Sequence, residues 1–553
     1  MSNIFSHTGG ANPRLSKFNL SYDKKFTADM GLLYPILHDE VLPGDRWRIG
    51  NQIVIRFNPL VAPILHQIDV TTHYFYVPYR ILWDKWEEFI TGGVNGDYIG
   101  SPPVYVPSIP ADPNNAGTAG TAEGTLWDYF GFPTDIANMP EATSTAFANN
   151  FVNDDNLPRA FPQLAYNLIF NEYYRDQNLT QTEIKPTNNK LLRRAWRKDY
   201  FTSALPFQQR GVSPAIPLTI AGSAQFPSFP NNLMHRAGKV EGLDNDGTTY
   251  LDTTTSNTSN GAGYYYLSPS SIARNDPPFN KTLVDNVALN QSLINHLNQN
   301  QLDFTESSTI DVAGFRVAFQ LQRFLERNAR AGVRYTEFLK AHFGVSPNDS
   351  RLQRPEYIGG TKSPVIISEI RQTSSTDTTS PQGNLAGHGI SADSGHAGNY
   401  FAQEFGIIIG LMSITPKPAY SQGMPRQFMR MTRYDHYFPE FAQLSEQAVL
   451  SREIYYDKTA EDKEVFGFQP IYQELRYKPN LICGQMRTTL DYWHLGRNFI
   501  SRPLLNTSFI ECRPSKRILA VQSEPAFIVW FGNHISALRP MPKHAEPGYV
   551  DHF

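Results

Sequence analysis

The alternation of apolar and polar residues predicts β-strands near the start of the chain. Residues 47–57 (WRIGNQIVIRF) alternate in part, and residues 68–78 (IDVTTHYFYVP) are rich in β-branched and aromatic side chains. In residues 79–90 (YRILWDKWEEFI), apolar side chains recur at helical spacing, and Gly92 and Gly93 follow. The pattern therefore predicts two strands and then a helix that ends at the glycine pair.

Two further helices are predicted by the same spacing. One covers residues 164–176 (LAYNLIFNEYYRD), and the other covers residues 315–333 (FRVAFQLQRFLERNARAGV). At 100° per residue, the arginines of the second helix form a stripe about 60° wide, and its apolar side chains cover the other side. These arginines are Arg316, Arg323, Arg327 and Arg330. The stripe is compatible with a solvated or ion-paired face and equally with a face toward phosphates or another subunit.

The last third of the chain returns to short apolar segments. The pattern predicts strands at residues 405–415 (FGIIIGLMSIT), 480–486 (NLICGQM), 517–522 (RILAVQ) and 525–531 (PAFIVWF). Strands near both ends of the chain, with long excursions between them, predict a mainly β protein. We expect an antiparallel sandwich of the Greek-key or jelly-roll kind, whose sheets combine strands distant in sequence.

A polar insertion interrupts this pattern at residues 222–300. Between residues 242 and 263, 15 of 22 residues are Gly, Ser, Thr or Asn, which is too polar for a core. We therefore divide the chain into residues 1–221, a surface insertion at 222–300, and residues 301–553. Tyr and small polar residues are common in recognition loops, so Tyr264, Tyr265 and Tyr266 are candidate receptor contacts. The alternatives are that these tyrosines pack against each other, or that the loop is passive.

Composition indicates a surface that is committed to partners. The 553 residues include 49 basic and 52 acidic side chains, a net charge of −3, and only 18% are charged while 13% are aromatic. Forty Pro and 38 Gly favour short strands joined by long loops over long helices. Two cysteines and the absence of a signal-peptide pattern predict a product of a reducing compartment. The apolar runs are shorter than the roughly 18 residues of a membrane span, so no membrane insertion is expected.

Motifs of enzyme chemistry are absent from the sequence. It contains no phosphate-binding Gly-rich loop, no dinucleotide fingerprint and no Gly-x-Ser-x-Gly motif. His388 and His396, with Asp393 between them in a segment of Gly, Ser and Ala, lack the spacing of metal ligands. We therefore predict no catalytic residue, no metal and no cofactor. A β-sandwich glycosidase, with two carboxylates from distant strands, stays open as an alternative.

Basic and aromatic residues are interleaved at residues 193–201 (RRAWRKDYF) and 426–438 (RQFMRMTRYDHYF). Single-stranded nucleic acid is bound by this combination, because cations meet phosphates and rings stack on bases. Protein–protein interfaces have the same enrichment, and we prefer that interpretation for most of these positions. The candidate DNA-facing residues are Arg193, Arg194, Trp196, Arg197, Lys198, Arg316, Arg323, Arg327 and Arg330.

Several segments, in order along the chain, resemble the major capsid proteins of microviruses (Microviridae), and among them the gokushovirus group. They are EVLPGD at Glu40, HYFYVPYRILWDKWEEFITGG at His73, NEYYRDQNL at Asn171, RYTEFLKAHFGV at Arg334, DSRLQRPEYIGG at Asp349, SPQGNLAGHG at Ser380, TRYDHYFPEFAQLSEQAV at Thr432, DYWHL at Asp491 and the terminal PMPKHAEPGYVDHF. The resemblance covers the whole chain except the insertion. It implies a single eight-stranded antiparallel jelly roll with long loops and a few short helices, a T=1 shell, and a variable insertion that projects at the three-fold axes.

A structural protein of a bacteriophage virion is the function that this resemblance implies. Its partners would be fifty-nine further copies of itself in an icosahedral shell, circular single-stranded viral DNA, a host surface receptor, and small basic DNA-binding, pilot and scaffolding proteins of the virus. Assembly is expected in the host cytoplasm, and residues 539–553 are expected to form an extended tail. The alternative from another class is a β-rich adhesin or receptor-binding module that forms no closed shell.

Overall fold

The structure is a computed structural model of the chain. It describes residues 14–96, 98, 100, 102–103, 123–133, 158–214, 222–224, 240–242, 249–251, 302–304, 312–332, 334–371 and 385–544. The chain divides into two compact units. The larger unit comprises residues 1–210 and 325–553, and the smaller one comprises residues 211–324.

Strands dominate the described residues. In chain order they are β1 (Ser16–Asn19), β2 (Tyr22–Ala28), β3 (Tyr34–Val41), β4 (Arg46–Phe57), β5 (Ile68–Pro78), β6 (Gly222–Ala224), β7 (Val240–Gly242), β8 (Thr249–Leu251), β9 (Leu302–Phe304), β10 (Glu356–Pro364), β11 (Ile367–Arg371), β12 (Leu385–Phe401), β13 (Gly406–Pro416), β14 (Ala419–Tyr420), β15 (Glu446–Leu450), β16 (Val465–Pro470), β17 (Asn480–Leu481) and β18 (Phe527–Arg539).

The helices are mostly short. They are α1 (Tyr79–Leu82), α2 (Trp86–Thr91), α3 (Leu126–Tyr129), α4 (Phe161–Ile169), α5 (Val312–Ala331), α6 (Tyr335–Phe343), α7 (Ser451–Ile454), α8 (Gln473–Arg476) and α9 (Thr507–Ile510). A π-helical turn, Phe170–Tyr174, continues α4. Single 3-10 turns occur at Ser350–Leu352, Arg426–Met429, Arg433–Asp435, Pro439–Gln443, Ala460–Lys463, Gly484–Arg487 and Asp491–Trp493.

Two antiparallel sheets form a sandwich in the larger unit. The first has the order β1-β18-β4-β12-β11, with β2 also paired to β18, and the second has the order β10-β5-β13-β3. Side chains from the facing sides of both sheets, among them Ile49 and Ile55 of β4 and Ile408 and Ile414 of β13, share one hydrophobic core. Neighbouring strands come from distant parts of the sequence. The predicted mainly β, antiparallel sandwich with long connections is therefore confirmed.

Burial explains the different residue patterns of β4 and β13. In β4 buried and exposed residues alternate, because one side of the first sheet faces the core and the other faces solvent. In β13 all but one residue are buried. A second core covers the outer side of β13, where Ile407 and Ile409 pack with Leu164 and Ile169 of α4.

Several predicted elements are confirmed. β4 and β5 match the two predicted strands, and α5 contains most of the predicted arginine-striped helix. The helix predicted at residues 79–90 is broken into α1 and α2, and it ends at Gly92 with φ +80° as predicted. The helix predicted at residues 164–176 is present as α4 and its π-helical continuation.

Two predicted strands are wrong. Of residues 480–486, only Asn480–Leu481 form a strand, and a 3-10 turn follows. Residues 517–522 form irregular chain, in which Ile518 and Leu519 point into the main core. Arg517 holds this segment by donating hydrogen bonds of 2.9 Å to the backbone carbonyls of Asp491, His494 and Gly496. Apolar residues are buried here without a sheet, which a pattern of hydrophobicity alone does not distinguish from a strand.

The segment interpreted as a Gly/Ser/Ala loop around His388 and His396 is a strand instead. It forms β12, a 17-residue strand paired with β4 and β11. Its small residues allow β10 to approach closely: a Cβ on Gly359 of β10 would lie 1.9 Å from the carbonyl oxygen of Ala397. Positions 388 and 396 are about 26 Å apart along an extended strand, so they do not form a common metal site.

The smaller unit contains short antiparallel pairs in its described part. β6 pairs with β9, and β7 pairs with β8. The division at residues 222–300 stays a prediction, and Tyr264, Tyr265 and Tyr266 lie outside the described residues. So do residues 545–553 of the predicted tail.

Candidate functional site

A cleft of about 930 Å³ lies on the outer side of the four-stranded sheet. Its floor consists of the outward side chains of β5, among them Thr71 and His73, and of Lys362 on the neighbouring strand β10. Three connecting segments form its walls: the π-helical turn after α4, residues 194–198, and the turn at residues 349–354 that leads into β10.

Five cationic side chains line this cleft together with two carboxylates. The cations are Arg194, Arg197, Lys198, Arg354 and Lys362, and the carboxylates are Asp69 and Asp349. Most of the cations already have partners. Asp69 lies 2.8 Å from Lys362 and 3.7 Å from Arg197, and Asp349 lies 2.6 Å from Arg354. Since each pairing offsets charge, the cleft attracts anions less strongly than its number of cations suggests.

Aromatic side chains cover the rest of the cleft wall. His73 lies 2.7 Å from the Tyr174 hydroxyl through Nδ1, and its ring contacts Tyr357 edge-on at 5.8 Å. Burial, together with the charge of Arg194, lowers the pKa of His73 to about 4, so the imidazole is neutral at pH 7. The ring of Tyr357 is 48% exposed, which makes it the side chain on this wall best placed to stack on a base.

The structure brings four of the predicted DNA-facing residues to this cleft. Arg194, Trp196, Arg197 and Lys198 line it. Arg193 instead donates hydrogen bonds to the backbone carbonyls of Met30 and Cys512, at 3.4 and 3.2 Å. Trp196 is 4% exposed, and the Arg497 guanidinium lies 5.1 Å from the centre of its ring. The Arg193 guanidinium therefore holds two backbone carbonyls and most of the Trp196 ring is covered, while a contact of either residue with DNA stays a prediction.

The four arginines of α5 do not behave as one group. Arg316, Arg323 and Arg327 are exposed, whereas Arg330 forms an ion pair with Glu446 at 2.6 Å. The apolar side of the same helix is also exposed. Its exposed large side chains are Phe315, Val317, Phe319, Leu321 and Phe324. An amphipathic helix with both sides exposed is typical of a surface that is covered in an assembly.

A second exposed apolar surface lies on residues 426–444, which we call the aromatic loop. This loop consists of three 3-10 turns, and Met431 is 85% exposed. Its other exposed large hydrophobic side chains are Phe428, Tyr434, Tyr437, Phe438 and Leu444. Its base is fixed by Arg426, which lies 3.0 Å from the buried carboxylate of Glu453, and by Arg430, which lies 3.1 Å from Glu474. The loop therefore presents a rigid, largely aromatic surface of the kind found in protein–protein interfaces.

Comparison with known proteins identifies the family of this chain. A family model described as "Capsid protein (F protein)" matches residues 6–549. The chain belongs to this capsid protein family. It is 36% identical to capsid protein VP1 of Chlamydia phage 1, with 99% of this chain and 98% of the relative aligned. It is also 33% identical to VP1 of Bdellovibrio phage phiMH2K, over 99% of this chain and 98% of the relative. Identity to VP1 of Spiroplasma virus 4 is 28%, over 98% of this chain and 97% of the relative.

Membership of the capsid protein family makes this chain a structural component of a virus particle that associates with copies of itself, and not an enzyme. The resemblance to gokushovirus capsid proteins drawn from the sequence is confirmed. Among the helices that the structure describes, none combines the length and apolar character of a membrane span. The described residues also contain no group of three or more side chains suited to hold a metal ion.

Sequence reasoning missed the part of the cleft that follows the insertion in the chain. Arg354, Tyr357 and Lys362 follow the insertion, more than 150 residues after Arg197, and they reach it because β10 pairs with β5. Tyr357 and Lys362 belong to EYIGGTKSP, in which apolar and polar residues alternate only in part, so a local pattern does not reveal them. The mixture of Arg, Phe and Tyr at residues 426–438, in contrast, predicted a contact surface from the sequence, and these residues form most of the exposed aromatic loop.

Proposed function

We propose that sixty copies of this chain form a T=1 icosahedral shell that encloses a circular single-stranded DNA genome. The observation that carries the proposal is the alignment of nearly the whole chain with capsid protein VP1 of three phages. These alignments also cover 97–98% of the relatives. Assembly takes place in the host cytoplasm, with scaffolding and pilot proteins of the virus as partners.

Association uses the exposed apolar surfaces of the aromatic loop and of α5. Each exposed Phe, Tyr or Met that becomes buried contributes about 1.5–3 kcal/mol. Single contacts need only moderate strength, because a closed shell holds every subunit by several interfaces at once. Assembly therefore removes from water the large rings that a single subunit exposes.

The phosphates of an enclosed genome require positive charge inside the shell. With a net charge of −3 the chain as a whole does not attract phosphates, so basic surfaces or a small basic DNA-binding protein must compensate for the charge of the DNA. The cleft with Arg194, Arg197 and Lys198 is one candidate for such a surface. Arg316, Arg323 and Arg327 on α5 are further candidates, and the pairing of Arg330 with Glu446 makes it the weakest of the four.

Residues 222–300 are proposed to project from the shell and to bind a host surface receptor, with Tyr264, Tyr265 and Tyr266 as contacts. Deletion of residues 242–263 should leave assembly intact and abolish adsorption to host cells. Failure of the deletion variant to assemble would assign this segment a structural role instead.

The subunit number is tested by the mass of the particle. Sixty chains of 62.5 kDa give about 3.8 MDa for an empty T=1 shell. Native mass spectrometry of empty particles should find this value. A mass near three times larger, or a broad range of masses, would contradict the T=1 proposal.

A further inference from the structure

The outer face of the six-stranded sheet carries a row of cations that the sequence analysis did not single out. In β4, Trp47, Ile49, Ile53 and Ile55 point into the core, so Arg46, Arg48 and Arg56 point away from it into solvent. This face is on the opposite side of the sandwich from the cleft, which lies beyond the four-stranded sheet.

The strand register brings further cations and imidazoles beside Arg46 and Arg48. Lys17 of β1 and Arg46 of β4 are both cross-strand partners of Leu538, one on each side of β18. His534 of β18 and His396 of β12 are likewise the partners of Gly50, one on each side of β4. Residues at these positions point to the same face of the sheet, because paired residues in an antiparallel ladder share a face.

Two adjoining depressions connect these side chains into one groove across the sheet. Their volumes are about 510 and 480 Å³, and both are lined by Arg48 and Ser536. Gly50 forms part of the floor and has no side chain, which leaves space between the flanking imidazoles of His396 and His534. We call this the sheet groove.

The sheet groove differs from the cleft in having cations without carboxylates. Its described lining contains Lys17, Arg46 and Arg48 and no acidic residue. Lys17 and Arg48 form no hydrogen bond or ion pair with any described residue, and Arg46 only lies over the Phe401 ring, 5.7 Å from its centre. Unpaired cations in a depression attract an anion more strongly than paired ones, because no internal carboxylate has to be displaced.

The neutral lining groups of the groove suit a nucleic-acid strand. Asn19, Asn399 and Ser536 supply hydrogen-bonding groups, and Phe401 is 50% exposed beside Arg46. A sheet surface that combines cations for phosphates with an exposed ring for a base is a known means of holding single strands. The ring favours nucleic acid over an anionic lipid surface, which would meet a flat array of cations and not a groove.

We propose that the sheet groove binds the sugar–phosphate backbone of single-stranded DNA, and that this face of the sandwich is turned toward the genome. This inference rests on the proposed function and makes it more specific. It assigns the principal phosphate contacts to Lys17, Arg46 and Arg48, and it places the cleft on the side of the subunit away from these contacts.

The test uses binding of a fluorescent single-stranded oligonucleotide, oligo(dT), to the full-length unassembled chain, measured by anisotropy at several salt concentrations. The double variant Arg46→Gln/Arg48→Gln should lose about tenfold or more in affinity. The slope of log K against log salt should fall by about 1.4, which corresponds to two phosphate contacts with a single strand. Arg48→Lys should retain most of the binding, and circular dichroism should show an unchanged fold.

A double variant of equal charge change is the control. Lys25→Gln/Arg56→Gln removes two cations from the same face of the sheet, outside the groove. It should change affinity less than threefold. An equal or larger loss in this control would overturn the proposal, as would tighter binding to phosphatidylglycerol vesicles than to oligo(dT). Particle formation is measured in a separate experiment. If closed shells form but the groove variant binds oligo(dT) as well as the unchanged chain does, this inference alone is refuted. If no shells form, the proposed function is refuted.

Discussion

Arg330 on α5 and Glu446 at the start of β15 form an ion pair of 2.6 Å in which the glutamate side chain is completely buried. Arg330 also donates hydrogen bonds to the backbone carbonyl and the hydroxyl of Ser445, at 2.7 and 2.5 Å. Burial raises the pKa of Glu446, and the arginine opposes that rise. One arginine of the predicted stripe therefore attaches the end of a helix to a strand.

Removing this arginine should destabilise the subunit. In Arg330→Ala the Glu446 carboxylate stays buried without its partner, and we expect a loss of about 1–3 kcal/mol in the free energy of unfolding. Arg327→Ala, in the exposed part of the same helix, is the matched control and should change it by less than about 0.5 kcal/mol. Urea unfolding of both variants measures the difference. Equal effects would show that the ion pair does not stabilise the fold.

The backbone conformation of Gly31 disfavours a side chain, and a neighbouring backbone atom leaves no space for one. Its φ is +82°, and a Cβ would lie 2.0 Å from the carbonyl oxygen of Cys512. We expect Gly31→Ala to destabilise the subunit by more than about 3 kcal/mol or to prevent soluble expression. Gly131→Ala is the control, since its φ of +86° is similar but nothing lies within 4 Å of the added Cβ, and it should cost about 1 kcal/mol. Thermal unfolding compares the two, and similar melting temperatures would contradict the steric argument.

Lowering the pH should decrease the free energy of unfolding of the subunit because of His73. Burial lowers the pKa of His73 from 6.5 to about 4, so the unfolded chain binds a proton in this interval that the folded chain does not. The contribution of neutral His73 to the free energy of unfolding is therefore fully present above about pH 6.5. It decreases by about 1–3 kcal/mol as the pH falls to 4. In His73→Gln the dependence of unfolding free energy on pH should be shallower across this interval. The unchanged chain is the reference, and an identical slope in His73→Gln and in the unchanged chain would refute the assignment.

Sequence patterns predicted those elements in which the order of apolar and polar residues follows which side chains are buried. The alternation in β4, the apolar run in β13 and the arginine spacing in α5 are local properties, and the structure has these elements where they were expected. β12 was missed because its Gly and Ser residues are selected by the close approach of β10, a contact between strands distant in sequence. Propensity carries no information on such a contact.

The candidate sites show the same limit. The cations of the sheet groove are visible in the sequence as arginines two residues apart in β4, but Lys17, His396 and His534 join them only through the register of four strands. Arg193 and Trp196 were selected by composition, and the structure shows that Arg193 donates to backbone carbonyls and that Trp196 is largely buried, which the sequence does not indicate. Whether a charged side chain faces a ligand or a carbonyl depends on tertiary packing, which one sequence does not reveal.

Electron microscopy of the purified full-length chain tests the central claim most directly. The chain would be expressed alone and together with the other structural proteins of its phage, and imaged under assembly conditions with and without single-stranded DNA. We expect closed isometric particles with T=1 symmetry in at least the co-expressed sample, because the exposed aromatic loop and α5 need neighbouring subunits to cover them. Monomers or small open oligomers in every sample would contradict the account of this chain as a shell-forming subunit.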